Sequence, residues 1–313
     1  MNIVITSASR KVSLVQAFKK ALNREGGGNV ITADMNEHSP AAQFSSANYV
    51  ICPDEHPDYI PLLLKICERE NIKLIVPSRD GEMRILAENK KQFDKIGVRV
   101  VVPSIETINV CSDKLAFVAF CKANGFKVPK TDAFLREFPL FINNRFGQAS
   151  KDAHRVNSIE ELNAYCTLIE YPILQEYIAL KEYTIDLCSD FDSRVISVVP
   201  RERVRTFAGE SFVGKTVKSR AMINQAIKLA EKLQLVGHNT IQCFFNDRTK
   251  EATFFEINLR YGGGATLGIK AGADTPRYLI QLAKGQEVKS RINKYKKGVT
   301  MYRYSADKFK YEK

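Results

Sequence analysis

The chain has 313 residues, 44% of them apolar, and a net charge of +12. That length exceeds one ordinary core, so two or three packed units are expected, and the apolar fraction excludes a disordered chain. No apolar run approaches the ~20 residues of a membrane span, and the opening Asn2-Ile3-Val4-Ile5-Thr6 lacks a basic-then-apolar signal peptide. The seven cysteines are scattered and include no C-x-x-C pair, so free thiols in a reducing cytoplasm are expected. The basic residues are spread along the chain and diluted by 35 acids. They read mostly as a solvated surface, and neither a membrane nor a nucleic-acid partner is favoured over a small anionic ligand.

The first third alternates strand and helix. Residues 2–6 read as a buried strand, and residues 11–24 place Val12, Val15, Phe18 and Leu22 at helical spacing. Gly26–Gly28 ends that helix, and a strand re-enters at 30–33. Helix 58–70, strand 72–76, helix 81–94 and strand 98–102 follow. This order predicts a doubly wound parallel sheet over residues 1–110, with ligands at strand carboxyl ends: Thr6–Arg10, Asp34–Asn36 and Pro77–Glu82. A dinucleotide is disfavoured, because the first turn reads Ser7-Ala8-Ser9-Arg10-Lys11 where a pyrophosphate needs glycines.

Beyond residues 105–112 the pattern becomes mixed and rich in hairpins. A helix over 113–124 is expected to start after Ser112 as its cap, with Asp113 and Lys114 in the first turn. A strand over 138–146 runs into Gly147-Gln148-Ala149-Ser150-Lys151, and a capping box, Ser158 to Glu161, opens the next helix. Strands near 173–178, 182–189 and 194–200, a helix over 220–234, and strands near 239–245 and 252–258 complete the reading.

Two polar patterns stand out. Glu256, Asn258 and Arg260 fall at i, i+2, i+4 before Gly262-Gly263-Gly264, which on a strand lines them on one face about 6–7 Å apart. A carboxylate, an amide oxygen and a guanidinium suit a magnesium-bound phosphate; a solvated strand face is the alternative. Arg201, Arg203 and Arg205 alternate likewise after Pro200, which puts them on one side of an extended backbone. They would hold a substrate anion or guard an exposed edge.

Together these residues resemble the ATP-grasp superfamily, specifically the carbamoyl-phosphate-synthase large-chain-like group of carboxylate–amine ligases, over roughly residues 1–285. The motifs appear in the family's order: Pro77–Glu82, Asp113-Lys114, Pro139–Ser150, Gln175–Ile178 with Lys181–Asp186, and Gln242 with Glu256-x-Asn258-x-Arg260. The fold implied is α/β and α+β, a doubly wound parallel-sheet pre-ATP-grasp domain followed by a two-lobed ATP-grasp domain. Its small lobe would cover 111–175, its large lobe 176–290, and a basic tail 291–313, although Val299–Tyr304 could also close a sheet.

The resemblance implies ATP with Mg2+ (Mn2+ as the other ion), and small-molecule carboxylate and amine substrates. By similarity Lys114 contacts the phosphates, the Glu176 and Ile178 backbone meets the adenine edge, Tyr177 and Ile178 form its slot, and Glu182 holds the ribose. Gln242, Glu256 and Asn258 would ligate the metal, and Arg260 would stabilise the transferring phosphoryl group. Arg201 and Arg203 would face the acceptor pocket, which Asp80 and Gly263 line. A homodimer fits the same resemblance. One departure is clear. The family usually carries Lys-Pro where this chain has Asn143-Asn144. A missing charge-assisted hydrogen bond costs about 1.5–3 kcal/mol, or roughly ten- to a hundredfold in affinity. Arg145 and Lys151 are the candidate substitutes. If neither serves, the alternative is a nucleotide-binding protein with weak or no ligase activity.

Overall fold

The computed structural model describes residues 1–147, 152–207 and 209–311. Five short strands, β1 (Asn2–Thr6), β2 (Val30–Asp34), β3 (Ala47–Val50), β4 (Ile72–Pro77) and β5 (Arg99–Val100), form a parallel sheet in the order β3-β2-β1-β4-β5. β1, β2 and β4 are almost wholly buried, as expected of strands covered on both faces. The helices α1 (Val12–Arg24), α2 (Tyr59–Arg69), α3 (Met83–Glu88) and α4 (Lys90–Lys95) intervene. The single helix expected over 81–94 is thus two, broken at Asn89, whose side chain donates to the Ile85 carbonyl and competes with the helical ladder. The strand β3, whose residues are only partly buried, carried too little periodic signal to be expected.

Between the domains lies another unforeseen helix, α5 (Ile105–Ser112), capped by Ser104. Ser112 therefore ends one helix and does not cap the next. Asp113 is the cap of α6 (Lys114–Ala123), its carboxylate accepting from the Leu115 amide. The small lobe is a three-stranded sheet in the order β7-β6-β8, made of β6 (Leu140–Asn144), β7 (His154–Val156) and β8 (Pro172–Glu176), with α7 (Ile159–Leu168) packed on it. The expected strand over 138–146 is shorter at both ends. Ser158 caps α7 as anticipated, while Glu161 reaches back to the Asn157 amide.

The large lobe is a six-stranded sheet in the order β13-β12-β9-β10-β11-β14. Its strands are β9 (Glu182–Ser189), β10 (Val195–Phe207), β11 (Glu210–Thr216), β12 (Gly237–Asn246), β13 (Glu251–Asn258) and β14 (Thr300–Tyr302). α8 (Arg220–Leu233) packs on the face bearing Ile185, Leu187, Ile241, Cys243 and Phe254, all fully buried. α9 (Ala265–Lys270) and α10 (Thr275–Ala283) return toward α1. The expected basic tail is in part a sheet element: β14 pairs antiparallel with β11, Val213 opposite Tyr302, and Tyr295 is buried with its hydroxyl on the Val217 carbonyl. No described helix is long and apolar enough to cross a membrane.

Candidate functional site

Cross-strand register gathers the polar residues of the large sheet. Gln242 pairs with Glu256 on one side and Thr184 on the other, Thr184 pairs with Arg201, and Thr240 pairs with Asn258 and Asp186. Directly opposed residues share a face, so these polar residues gather on one face, with Val199 and Phe244 among them, while the opposite face packs on α8. Between Gln242 and Cys243 the register with β13 shifts by one residue, leaving Phe255 as the extra residue of a bulge. Its ring lies 4.8 Å from that of Phe244. The bulge keeps Glu256 and Asn258 on the polar face and adds an apolar surface beside them.

The expected residues converge into two linked chains. Arg203 lies 3.0 Å from the Glu182 carboxylate and donates to the Gln242 amide oxygen at 2.9 Å, and Gln242 in turn donates to Glu256 at 2.7 Å. Burial pushes the Glu182 carboxyl above the usual range, with Arg203 opposing the rise and Glu256 adding to it. Arg260 donates to Asn258 at 2.9 Å and to Asp80 of the first domain at 2.6 Å. Burial likewise raises Glu256, against Lys114, Arg260 and Arg203. A cleft of about 280 Å³ runs beside β13, with Asp80, Lys114, Phe117, Gly147 and Glu256 among its walls.

Other residues stand differently from expectation. Arg201 is 1% exposed and makes a bidentate ion pair with Asp186, at 2.6 and 2.7 Å, so it is enclosed and not presented to a substrate. Burial alone would raise Asp186, but Arg201 and His238 hold it below the carboxylate range. The alternation of Arg201, Arg203 and Arg205 also breaks, since β10 is irregular between Arg203 and Arg205. Arg205 turns over the Phe212 ring instead.

The glycine run has a packing reason. A Cβ on Gly264 would lie 2.5 Å from the Arg201 guanidinium, and one on Gly268 would lie 2.7 Å from the Asp186 carboxylate. The turn after Arg260 therefore rests on the buried ion pair, and Thr240 pins it by donating to the Arg260 carbonyl and accepting from the Gly262 amide. Gly263 lies against Glu210 and Arg303.

In the small lobe, Lys114 donates to the Asn144 and Gly147 carbonyls at 2.9 and 2.6 Å. Burial lowers its pKa, with Glu256 the largest opposing charge. Arg145 is paired with Asp113 and does not lie on the strand. β6 ends at Asn144, so Arg145 lies in the following turn and grips both oxygens of Asp113 at 2.7 and 2.6 Å. Lys151 and the loop residues Gln148, Ala149 and Ser150 lie outside the described residues. At the hinge the Glu176 amide donates to the Lys130 carbonyl, which takes that donor away from an adenine edge. Tyr177 is half-exposed, with the Arg155 guanidinium 4.5 Å from its ring centre. Phe255, Phe244 and Lys11 were not anticipated. A bulge leaves no mark in a two-residue alternation, and Lys11 reaches the site only through the docking of the first domain.

The residues fit an oxygen-seeking ion. Among the described residues no three His, Cys, Asp or Glu cluster to form a cage. One carboxylate and two amide oxygens, from Glu256, Gln242 and Asn258, instead match Mg2+, which keeps water and phosphate oxygens as most of its ligands.

Comparison with known proteins agrees. Residues 3–101 match the model of the PylC-like N-terminal domain, and residues 169–306 match that of the ATP-grasp proteins in the biosynthetic pathway with Ter operon. The chain carries an ATP-grasp domain over residues 169–306. The carbamoyl phosphate synthase large chain of Thermoplasma volcanium is 23% identical over 306 residues, covering 87% of this chain and 29% of that one. The ATP-grasp chain thus spans about three-tenths of the length of that relative. N5-carboxyaminoimidazole ribonucleotide synthetase from Thermotoga maritima superposes with a TM-score of 0.68 at 19% identity, over 92% of this chain and 77% of its own. The biotin carboxylase domain dimer of 2-oxoglutarate carboxylase from Hydrogenobacter thermophilus, in complex with magnesium ADP, ADP and bicarbonate, gives 0.73 at 13% identity, over 95% and 73%.

Proposed function

We propose that the chain is an ATP- and Mg2+-dependent ligase that activates a small-molecule carboxylate as an acyl phosphate, releasing ADP, and then joins the acyl group to an amine, which displaces phosphate. The observation that carries this reading is the single face on which Glu182, Arg203, Gln242 and Glu256 are linked by hydrogen bonds and an ion pair, with Asn258 beside them accepting from Arg260. In it, Gln242, Glu256 and Asn258 would hold Mg2+, which would supply positive charge to offset the charge of the phosphates. Mn2+ shares that preference for oxygen and is the second ion to test.

Arg260, already aimed by Asp80, stabilises charge on the transferring phosphoryl group. Arg203 lies between the ribose acid Glu182 and the metal ligand Gln242, and exchanges these partners for substrate charge. Lys114 serves the phosphates from the mouth of the small lobe. The paired rings of Phe255 and Phe244 offer an apolar surface for the base, in addition to Tyr177 and Ile178. Asn143 bears on nucleotide affinity and leaves the metal residues untouched. A cytoplasmic homodimer accords with this reading.

An ADP-release screen with Mg-ATP against a panel of carboxylates, with and without amines, tests it. ADP release should require a carboxylate and rise with an amine. Glu256→Ala should lower it at least a hundredfold, since metal stabilisation of transition-state charge amounts to several kcal/mol. A wild-type chain that binds no Mg-ATP would sink the ligase reading.

A further inference from the structure

A second cluster of charge stands beside the metal end, on the side of the first domain. After β1 the chain turns through Ser7 and Ser9, both at positive φ (48° and 47°), and delivers Arg10 and Lys11 to the head of α1. The Lys11 ammonium is enclosed and donates to the Ser78 carbonyl. Burial and the Arg260 guanidinium pull its pKa down to about 8, against Glu82, Asp80 and Glu210. From the far side, the residue after β14, Arg303, donates to the Glu210 carboxylate and to the Gly263 carbonyl. Arg10 completes the ring at 3.8 Å from Glu210.

The charges in this ring do not balance. Glu82 is fully buried and already accepts from Ser7, Tyr59 and the Ser78 and Arg79 amides. Asp80 is held by Arg260. Glu210 alone faces Arg10 and Arg303, and the enclosed Lys11 has only a carbonyl within hydrogen-bond reach. A largely enclosed ammonium with no carboxylate in hydrogen-bond contact is costly, and this one stands where a parallel sheet presents its ligands, at the carboxyl ends of β1 and β4.

We propose that Lys11, Arg303 and Arg10 form an anion subsite in the acceptor pocket, and that the carboxylate substrate carries a second anionic group, a phosphate or another carboxylate, held there. This rests on the ligase reading. Glu210 is the resident anion that the substrate displaces from Arg303.

The test is a calorimetric titration of the full chain, with and without saturating Mg-ADP, using succinate, glycerol phosphate and acetate as probes. A dianion should bind and acetate should bind at least tenfold more weakly. Lys11→Gln and Arg303→Gln should each weaken the dianion roughly tenfold, the loss expected for one charge-assisted hydrogen bond. The exposed Lys289, changed to Gln, should leave its affinity unaltered. The tighter of the two dianions identifies the second group. Acetate binding as tightly as the dianions, wild-type affinity in both variants, or no dianion binding at all overturns the proposal. The nucleotide arm is read separately. A chain that binds Mg-ADP but no dianion keeps the ligase reading and loses this one, and binding of the dianion alone does the reverse.

Discussion

The two ends of the candidate nucleotide site are built differently. Gln242, Glu256 and Asn258 lie in the middle of a six-stranded sheet, where register with neighbouring strands sets their positions. The phosphate-covering end hangs on a three-stranded sheet whose first strand runs into turn and loop at Arg145 to Gly147. At the first end the side chains are linked to one another. At the second, the arginine that could replace a family lysine is committed to a helix cap.

Breaking the large-sheet end should have the largest effect. Arg201→Met leaves Asp186 buried without its cation and should cost about 3–5 kcal/mol, read as a lower urea midpoint. Because Gly264 and Gly268 rest on that pair, Mg-nucleotide binding should weaken as well. Adding Asp186→Leu should restore most of the stability while leaving binding weak. Restored binding in the double variant would show that the pair does not position the turn.

Lys11→Met tests the first-domain side of the same end. With a folded pKa of about 8 against the usual 10.5, the unfolded chain holds more protons between those values, so stability rises with pH across that window. The penalty of the enclosed ammonium is complete below pH 8. The variant should therefore be more stable by about 2–3 kcal/mol at pH 7, and the gain should fade toward pH 10.5 in parallel urea titrations.

The smallest effect belongs to the weaker end. Asn143→Lys should tighten nucleotide binding roughly tenfold without changing its Mg2+ dependence, measured by titration with ADP at several Mg2+ concentrations. Unchanged affinity would mean that Lys114 already supplies the needed charge, and the contrast between the two ends would fall.

Much of this was readable beforehand where the signal is periodic. The parallel sheet, α8 and the Glu256-x-Asn258-x-Arg260 face follow from spacing alone. What escaped depends on contacts distant in sequence. Alternation assigned Arg201 a face but could not tell that Asp186 reaches it diagonally from β9 under a turn. Arg145 reads as a free cation until Asp113 is seen to cap the adjacent helix. β14 has three residues, and its partner β11 lies more than eighty positions earlier. Too short to show a period, it nonetheless brings Arg303 to the pocket.

The bulge at Phe255 ties the chemistry to the parity of the strand. Cys243 and Phe254 face the core while Gln242 and Glu256 face the site, with Phe255 as the odd residue between. Deleting Ile257 would turn Asn258 to the opposite face and send its amide toward α8, whereas deleting Phe255 would only restore plain alternation, with Phe254 and Glu256 on the faces they hold now. Insertions in the turn at 247–250 leave this arrangement alone. The site can therefore drift in composition far more easily than it can drift by one position along its own strand.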